Sequence, residues 1–292
     1  NYLKLWGLTQ QIQINRQEPK PFVKWAGGKR QLLPELVRNY PQKFDTYFEP
    51  FLGGGAVMFN LLTKHPGMKC HVSDLNSDLI LTYIAIRDKV DEVIESLENH
   101  SKNYHKNPSH YYYKVRESEP SDIEKVSRLI FLNRTCFNGL YRVNSKGRFN
   151  VPLGSYTNPN IVNKDNLIAT SQILQSSDIE FLCRDFAEIS HDIKKGDFVY
   201  FDPPYQPVSN TANFTSYTNR HFTDQDLQRL ADLAGRLDSK GCKVMLSNSQ
   251  SKKVEKLFSS SKWNIRKITA KRAINSDAKN RTGHFEILIK NY

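Results

Sequence analysis

The feature that most constrains this chain is Asp202-Pro203-Pro204-Tyr205, placed directly after Asp197-Phe198-Val199-Tyr200-Phe201. The apolar, β-branched and aromatic run after Lys195-Gly196 predicts a strand. Two successive prolines can neither continue a sheet ladder nor enter a helix interior, so the strand has to stop there. The stop delivers a carboxylate, a rigid carbonyl and an aromatic ring to the carboxyl edge of a sheet, the edge where open α/β folds bind ligands. Such a tip suits work on the amino group of a flat polar ring. The Asp202 carboxylate and the Pro203 carbonyl can both accept from one –NH2, and Tyr205 can stack on the face. A plain Asp-Pro-Pro turn with Tyr205 as a packing residue satisfies the same four letters, so the rest of the chain has to decide.

The chain is long enough, at 292 residues, for one large domain or two smaller ones, and its apolar residues (38%) are spread throughout. A net charge of +12 favours a polyanionic partner, nucleic acid before an anionic membrane surface. No apolar run approaches a bilayer span, so no membrane association is expected. Residues 1–17 lack the pattern of an export signal. Cys70, Cys136, Cys183 and Cys242 are far apart with no CxxC, which fits buried thiols in a reducing cytoplasm rather than a disulfide framework or a zinc site; no metal is implied.

Residues 1–20 are polar and non-periodic, an expected arm. Lys24-Trp25-Ala26-Gly27-Gly28-Lys29 follows, with glycines that permit close backbone approach, a cation at Lys29 and a ring at Trp25; a turn before a helix with a core Trp reads equally well. A stronger signal is Tyr47-Phe48-Glu49-Pro50-Phe51-Leu52-Gly53-Gly54-Gly55, a short strand entering a glycine turn and then an apolar helix. That is the order of a nucleotide-cofactor site. The G-x-G-x-x-G spacing of a dinucleotide site is absent, and Glu49 would repel a pyrophosphate. A cofactor with a positive centre and no phosphates, such as S-adenosyl-L-methionine, fits better. Asp74 ends a second strand roughly 20 residues beyond the glycines, where a ribose-hydroxyl acceptor belongs; a helix cap is its plainer reading. Asp185-Phe186 repeats the acid-plus-aromatic tip, where a cap with a core Phe is the plainer alternative.

Between these strands the chain changes character. Residues 91–134 read as helices with Ile123, Val126, Leu129, Ile130 and Leu132 on a helical period. Residues 137–154 then alternate around Asn144-Ser145-Lys146-Gly147, a hairpin turn. No acid occurs between Glu124 and Asp165, while Arg134, Arg142, Lys146 and Arg148 do. A basic two-stranded ribbon fits the DNA major groove, where Arg reads guanine. Residues 211–217 are expected to close over a substrate, and residues 271–281 to touch a phosphate backbone, since Lys plus Arg exceed acids by 11 to 3 from Gln250 onward.

In this order, Lys24-Trp25-Ala26-Gly27-Gly28-Lys29, Phe48-Glu49-Pro50-Phe51-Leu52-Gly53-Gly54-Gly55, Asp74-Leu75-Asn76, Asn138-Gly139-Leu140-Tyr141-Arg142, Asp202-Pro203-Pro204-Tyr205 and Asn213-Phe214-Thr215 resemble the motifs of Dam-like (D12 class, group alpha) DNA adenine-N6 methyltransferases. The match runs from about Phe22 to the last residues. The resemblance implies an α/β, Rossmann-like S-adenosylmethionine-dependent methyltransferase sheet with an inserted helical target-recognition domain carrying a β-hairpin. It implies a catalytic and cofactor domain at 21–75 and 165–292, and recognition by 76–164. It implies catalysis by Asp202, Pro203 and Tyr205, and cofactor contacts from Trp25, Lys29, Glu49, Pro50, Gly53, Asp74, Asp185, Phe186 and Asp202. It implies base reading within GATC by Lys24, Leu140, Arg142 and Pro152, a wedge at Phe137 and Asn138, and phosphate contacts from Arg134, Asn144 and Asn150. Arg184 stands where relatives often have a small or different residue, and Ser155 where several place an arginine, which leaves one phosphate contact open but not the specificity. Double-stranded DNA is the expected partner of a cytoplasmic monomer. Whether a restriction endonuclease accompanies it is open, as are methylation of another amino group, a non-catalytic DNA-binding role and a nicotinamide oxidoreductase.

Overall fold

The computed structural model describes residues 18–25, 27–204, 222–268 and 286–292. Among these residues seven strands form one sheet: β1 (Tyr47–Glu49), β2 (Lys69–Asp74), β3 (Asp178–Cys183), β4 (Phe198–Phe201), β5 (Lys243–Ser249), β6 (Asn264–Ile268) and β7 (Glu286–Lys290). Their spatial order is β3-β2-β1-β4-β5-β7-β6. The first five are parallel, whereas β7 runs antiparallel to both β5 and β6. The helices are α1 (Leu33–Val37), α2 (Ala56–Lys64), α3 (Ser77–Asp88), α4 (Val90–Lys106), α5 (Pro108–Glu117), α6 (Asp122–Thr135), α7 (Lys164–Gln175), α8 (Asp224–Ser239) and α9 (Lys252–Leu257).

This is the expected mostly parallel α/β sheet, and its order explains where a site can form. The chain winds outward from β1 through β2 to β3, then returns to β4 on the other side of β1. Between β1 and β4 the connections diverge, leaving a crevice beyond their carboxyl ends. Glu49 is the last residue of β1 and Asp202 immediately follows β4.

Burial on both faces explains why β4 is an unbroken apolar run. Phe198 and Tyr200 join one hydrophobic cluster with α2, α3 and α6, whereas Val199 and Phe201 join a second with α8. The amphipathic pattern of α8 is built the same way. Leu227, Leu230, Leu233, Ala234 and Leu237 are buried, and Thr223 opens the helix with a reciprocal side-chain cap to Asp226.

Helices α4 to α6 lie between β2 and β3 in the chain. Val93, Ile94, Leu97, Val126 and Ile130 share a continuous core with Tyr47 and Cys70. The expected hairpin is a tight turn with one ladder bridge, Val143 to Phe149, plus a bridge from Cys136 to Leu153, rather than two long strands. Its turn is held by Asn144, whose Oδ1 accepts from the Lys146 and Arg148 amides.

Candidate functional site

The carboxyl ends of β1, β2 and β4 place Glu49, Asp74 and Asp202 along one edge of the sheet. Each is held by a different local device. Asp202 forms an ion pair with the buried Lys29, at 2.7 Å from Nζ to Oδ1, and the same ammonium donates to the Gly27 carbonyl at 2.7 Å. The Gly27-Gly28 loop thus turns Lys29 inward, as a 3₁₀ turn over Lys29–Gln31 begins. Ser247, at the equivalent level of β5, donates to the same Oδ1 at 3.1 Å. Burial raises the Asp202 pKa, and the Lys29 charge and the two hydrogen bonds oppose the rise.

Glu49 is deeper, 3% exposed. Burial pushes its carboxyl up to about 8, against a Tyr47 hydroxyl that donates at 2.8 Å and the Met58 amide at the start of α2; the Asp202 charge adds to the rise. Asp74 accepts from the Gly53 amide at 3.0 Å and the Asn76 amide at 2.9 Å, and burial raises its pKa too. The helix cap offered as an alternative for Asp74 falls instead to Asn76, whose side chain accepts from the Leu79 amide.

The glycine turn is shaped by the protein's own rings. Gly53 and Gly55 have φ of 49° and 68°, and a Cβ at either would lie 2.8 Å from Trp25 or 2.7 Å from the Tyr83 hydroxyl. Tyr83 donates to the Gly53 carbonyl at 2.9 Å. Pro50, which precedes this turn, is buried, and Trp25, packed against Gly53 and Gly54, is half-buried.

Asp185 and Phe186 sit further along the edge. Asp185 caps a 3₁₀ turn (Phe186–His191) and accepts from Arg229 at 2.7 Å; Phe186 is buried between the Phe51 ring, 5.2 Å away, and the Arg229 guanidinium, 4.9 Å away. The cap with a core Phe is therefore present here. Arg184 pairs with Asp192 at 2.6 Å.

A second surface joins this edge. Lys24 is exposed, and its ammonium lies 4.4 Å from the centre of the Tyr156 ring. The buried Asn133 accepts from the Lys24 amide at 2.7 Å and donates to the carbonyls of Lys24 and Gly139. It thereby fixes Lys24 beside the turn of Phe137–Gly139. On that turn Phe137 is 48% exposed and Asn138 holds φ at 54°, an unusual left-handed conformation. Exposed Pro152 accepts from the Phe137 amide through its carbonyl, and Leu140 is half-buried beside it.

Four of the expected DNA contacts, Arg134, Arg142, Asn144 and Asn150, are engaged within the protein. Arg142 donates to Asn150 Oδ1 at 2.7 Å, Asn144 builds the turn, and Arg134 is half-buried with its guanidinium donating to the Phe22 carbonyl at 2.6 Å. Arg134 thus ties α6 to the start of the fold, which its basic neighbourhood in sequence did not signal. Tyr205, the Asn213-Phe214-Thr215 motif, the 211–217 loop, the 271–281 loop and residues 1–17 lie outside the described residues.

Sequence reasoning missed Ser247, Tyr200, Asn133 and Tyr141. Only Ser247 had a signal, its place at a polar strand tip next to the central one.

The family model for D12 class N6 adenine-specific DNA methyltransferases matches residues 25–274. The type II methyltransferase M.MjaIII of Methanocaldococcus jannaschii is 43% identical over 94% of this chain and 100% of its own length. The type II methyltransferase M1.LlaDCHI of Lactococcus lactis subsp. cremoris is 42% identical over 96% of this chain and 98% of its own. The DNA adenine methylase of Haemophilus influenzae is 33% identical over 92% of each.

Proposed function

This chain belongs to the D12 class N6 adenine-specific DNA methyltransferases, and from that premise we propose that it transfers a methyl group from S-adenosyl-L-methionine to N6 of an adenine everted from duplex DNA, within GATC. The observation that carries this reading is the Lys29–Asp202 pair at the crevice between β1 and β4, with Glu49 and Asp74 beside it.

The donor set fits that cofactor. Three carboxyl groups and one lysine favour a ligand with positive charge and hydroxyls over one with phosphates. Asp74 and Gly53 would hold the ribose, Trp25 and Pro50 would flank the glycine turn beneath it, and Lys29 would meet the carboxylate. Asp185 and Phe186 would bound the adenine. When bound, S-adenosylmethionine supplies a methyl group made electrophilic by its sulfonium.

The protein's own part is placement. A base inside a duplex is out of reach and has to be everted; Phe137 and Asn138, on their exposed turn, would fill the space it leaves. Asp202 and the Pro203 carbonyl would accept the two N6 hydrogens, and Tyr205 would stack on the ring. Adenine N6 is a poor nucleophile because its lone pair is delocalised into the ring. Fixing both hydrogens turns that lone pair toward the methyl group, and orientation of this kind can lower a barrier by several kcal/mol. Asp202 then holds the proton that N6 releases. Lys24, Leu140, Arg142 and Pro152 would read bases, with Arg134, Asn144 and Asn150 at the backbone. Residues 76–164 would act as the recognition unit of a cytoplasmic monomer, and the type II designation of two relatives favours a restriction–modification setting with an accompanying endonuclease.

The test is transfer of labelled methyl from S-adenosylmethionine to duplexes with and without GATC. Label on N6 of adenine in the GATC duplex alone is expected. Label on cytosine, or equal label in both duplexes, would overturn the chemistry or the site assignment respectively.

A further inference from the structure

Two hydroxyl groups lie buried beneath Asp202, at positions where an apolar residue would serve the sheet at least as well. Ser247 and Tyr200 are each 0% exposed. Burying a hydroxyl is unfavourable unless it is hydrogen-bonded, so their bonds say what they are for.

The sheet register brings them together. β4 and β5 pair in parallel, with Tyr200 opposite Met245 and Phe201 opposite Leu246. One step further sets Asp202 beside Ser247. Tyr200 lies two residues before Asp202, so both point to the same face of the sheet. Ser247 Oγ donates to Asp202 Oδ1 at 3.1 Å, and Tyr200 Oη lies 2.7 Å from Ser247 Oγ.

The direction of the chain follows from proton counting. A serine hydroxyl has one proton. Oδ1 already accepts from the Lys29 ammonium at 2.7 Å, so the Ser247 proton goes to Oδ1. Tyr200 is then the donor to Ser247. The described hydrogen bonds to the Asp202 carboxylate all end on Oδ1. Two donors of fixed position on one oxygen restrict the rotation of the whole group.

We propose that Tyr200 and Ser247 are positioning residues for methyl transfer: a buried hydroxyl relay that locks Asp202 with Oδ1 toward the protein and Oδ2 toward the amino group it receives. The inference rests on the reading of Asp202 as the group that accepts from N6. Tyr200 acts through Ser247, and Ser247 acts through Asp202. Neither touches the reacting atoms.

The experiment compares Ser247→Ala, Tyr200→Phe, the double variant, Ser247→Thr and Asp202→Asn in single-turnover methyl transfer, alongside equilibrium binding of cofactor and duplex and thermal melting. Ser247→Ala is expected to slow transfer roughly 10- to 100-fold, the effect of losing one hydrogen bond to a charged group, with both dissociation constants within about two-fold of wild type. Tyr200→Phe is expected to slow it less, and to add nothing in the Ser247→Ala background, because its effect passes through Ser247. Ser247→Thr keeps the hydroxyl and is expected to recover most of the rate.

The pH profile supplies a second readout. Among the described residues, Lys29, Glu49 and Glu286 are the titratable groups acting on Asp202 from the neighbouring elements, and all three remain in these variants. The Ser247 bond holds the Asp202 pKa down, so its loss is expected to move the acid limb of the transfer rate to higher pH. Ser247→Ala with a wild-type rate overturns the relay, whatever its melting temperature, and so does an additive Tyr200→Phe effect in the double variant. Asp202→Asn with a wild-type rate overturns the reading of the site itself, a separate result.

Discussion

The ring of Tyr141 lies 5.2 Å from that of Trp25, with 31° between their planes. Trp25 belongs to the loop over the glycine turn, and Tyr141 directly precedes Arg142 in the basic segment. Tyr141 also meets Phe149 across the hairpin at 5.7 Å. One side chain therefore touches the proposed cofactor cradle and the proposed recognition segment together. Tyr141→Ala is expected to weaken S-adenosylmethionine binding several-fold, since an aromatic pair of this kind contributes about 0.5–1.5 kcal/mol. It is also expected to shrink the effect of duplex DNA on that binding. Linkage makes this effect reciprocal, so calorimetric titration of each ligand with and without the other checks it. Unchanged coupling in the variant would remove Tyr141 as the connection.

Glu49 makes a prediction about pH and stability. Its carboxyl is held at about 8 in the folded protein, chiefly by burial, above an ordinary value of 4.5. The folded state therefore binds this proton more tightly than the unfolded state, and stability falls as pH climbs from about 4.5 to about 8, then levels. Glu49→Gln removes the titrating proton while keeping a similar shape. Its unfolding free energy is expected to lose less than that of wild type between pH 5 and pH 9, as measured by urea denaturation at each pH. Parallel pH dependences for the two proteins would place the ionised Glu49 at no disadvantage in the fold.

How much of this was readable in the sequence depends on whether a residue's partner is local. The strand stopped by Pro203-Pro204, the glycine turn after β1 and the acid closing β2 are set by neighbours in the chain, and all three appear where they were expected. The switch between β1 and β4 was not readable, because the spatial order of the strands is set by their pairing in the folded sheet. Asp185 was ambiguous for the same reason: its capping partner is local, but Arg229 lies 44 positions away. Arg134 looked like a phosphate contact because its basic neighbourhood is visible and its bond to the Phe22 carbonyl, across 112 positions, is not. Ser247 stood at a polar strand tip, whereas Asn133 and Tyr200 carry no pattern at all, since a single buried polar side chain acquires its meaning from the strand or loop packed against it.

The Lys29–Asp202 pair separates stability from chemistry. Lys29 is almost wholly buried while Asp202 keeps part of its surface open, 3% and 18% by side chain. Asp202→Ala leaves a buried ammonium without its counter-ion, a change that in closed interiors costs about 3–5 kcal/mol. The expected outcome is loss of methyl transfer with a lowered melting temperature and retained duplex binding. Adding Lys29→Met removes the stranded charge and is expected to restore much of the melting temperature and none of the activity. If the double variant melts no higher than Asp202→Ala, the pair does not govern stability as described.

The last prediction concerns how a reading residue is held. Arg142 donates through Nε to Asn150 Oδ1 at 2.7 Å and through Nη2 to the Asn150 carbonyl at 3.2 Å. Both bonds cross the turn, where the Asn150 amide in turn donates to the Arg142 carbonyl at 3.0 Å. A guanidinium gripped along one edge is pre-aimed, because the donors of its plane are rigidly linked. Arg142→Ala is expected to lose roughly 1–3 kcal/mol of discrimination at one base pair. Asn150→Ala leaves the guanidinium in place but frees it to swing, so it should lose part of that discrimination and little affinity for duplex in general. In the double variant the Asn150 contribution is expected to vanish, because there is no longer a guanidinium to aim. Comparison of methylation rates on GATC duplexes with those carrying single-base changes tests all three proteins. Full additivity of the two substitutions would mean that Asn150 contacts DNA on its own account, as a backbone contact would, rather than through Arg142.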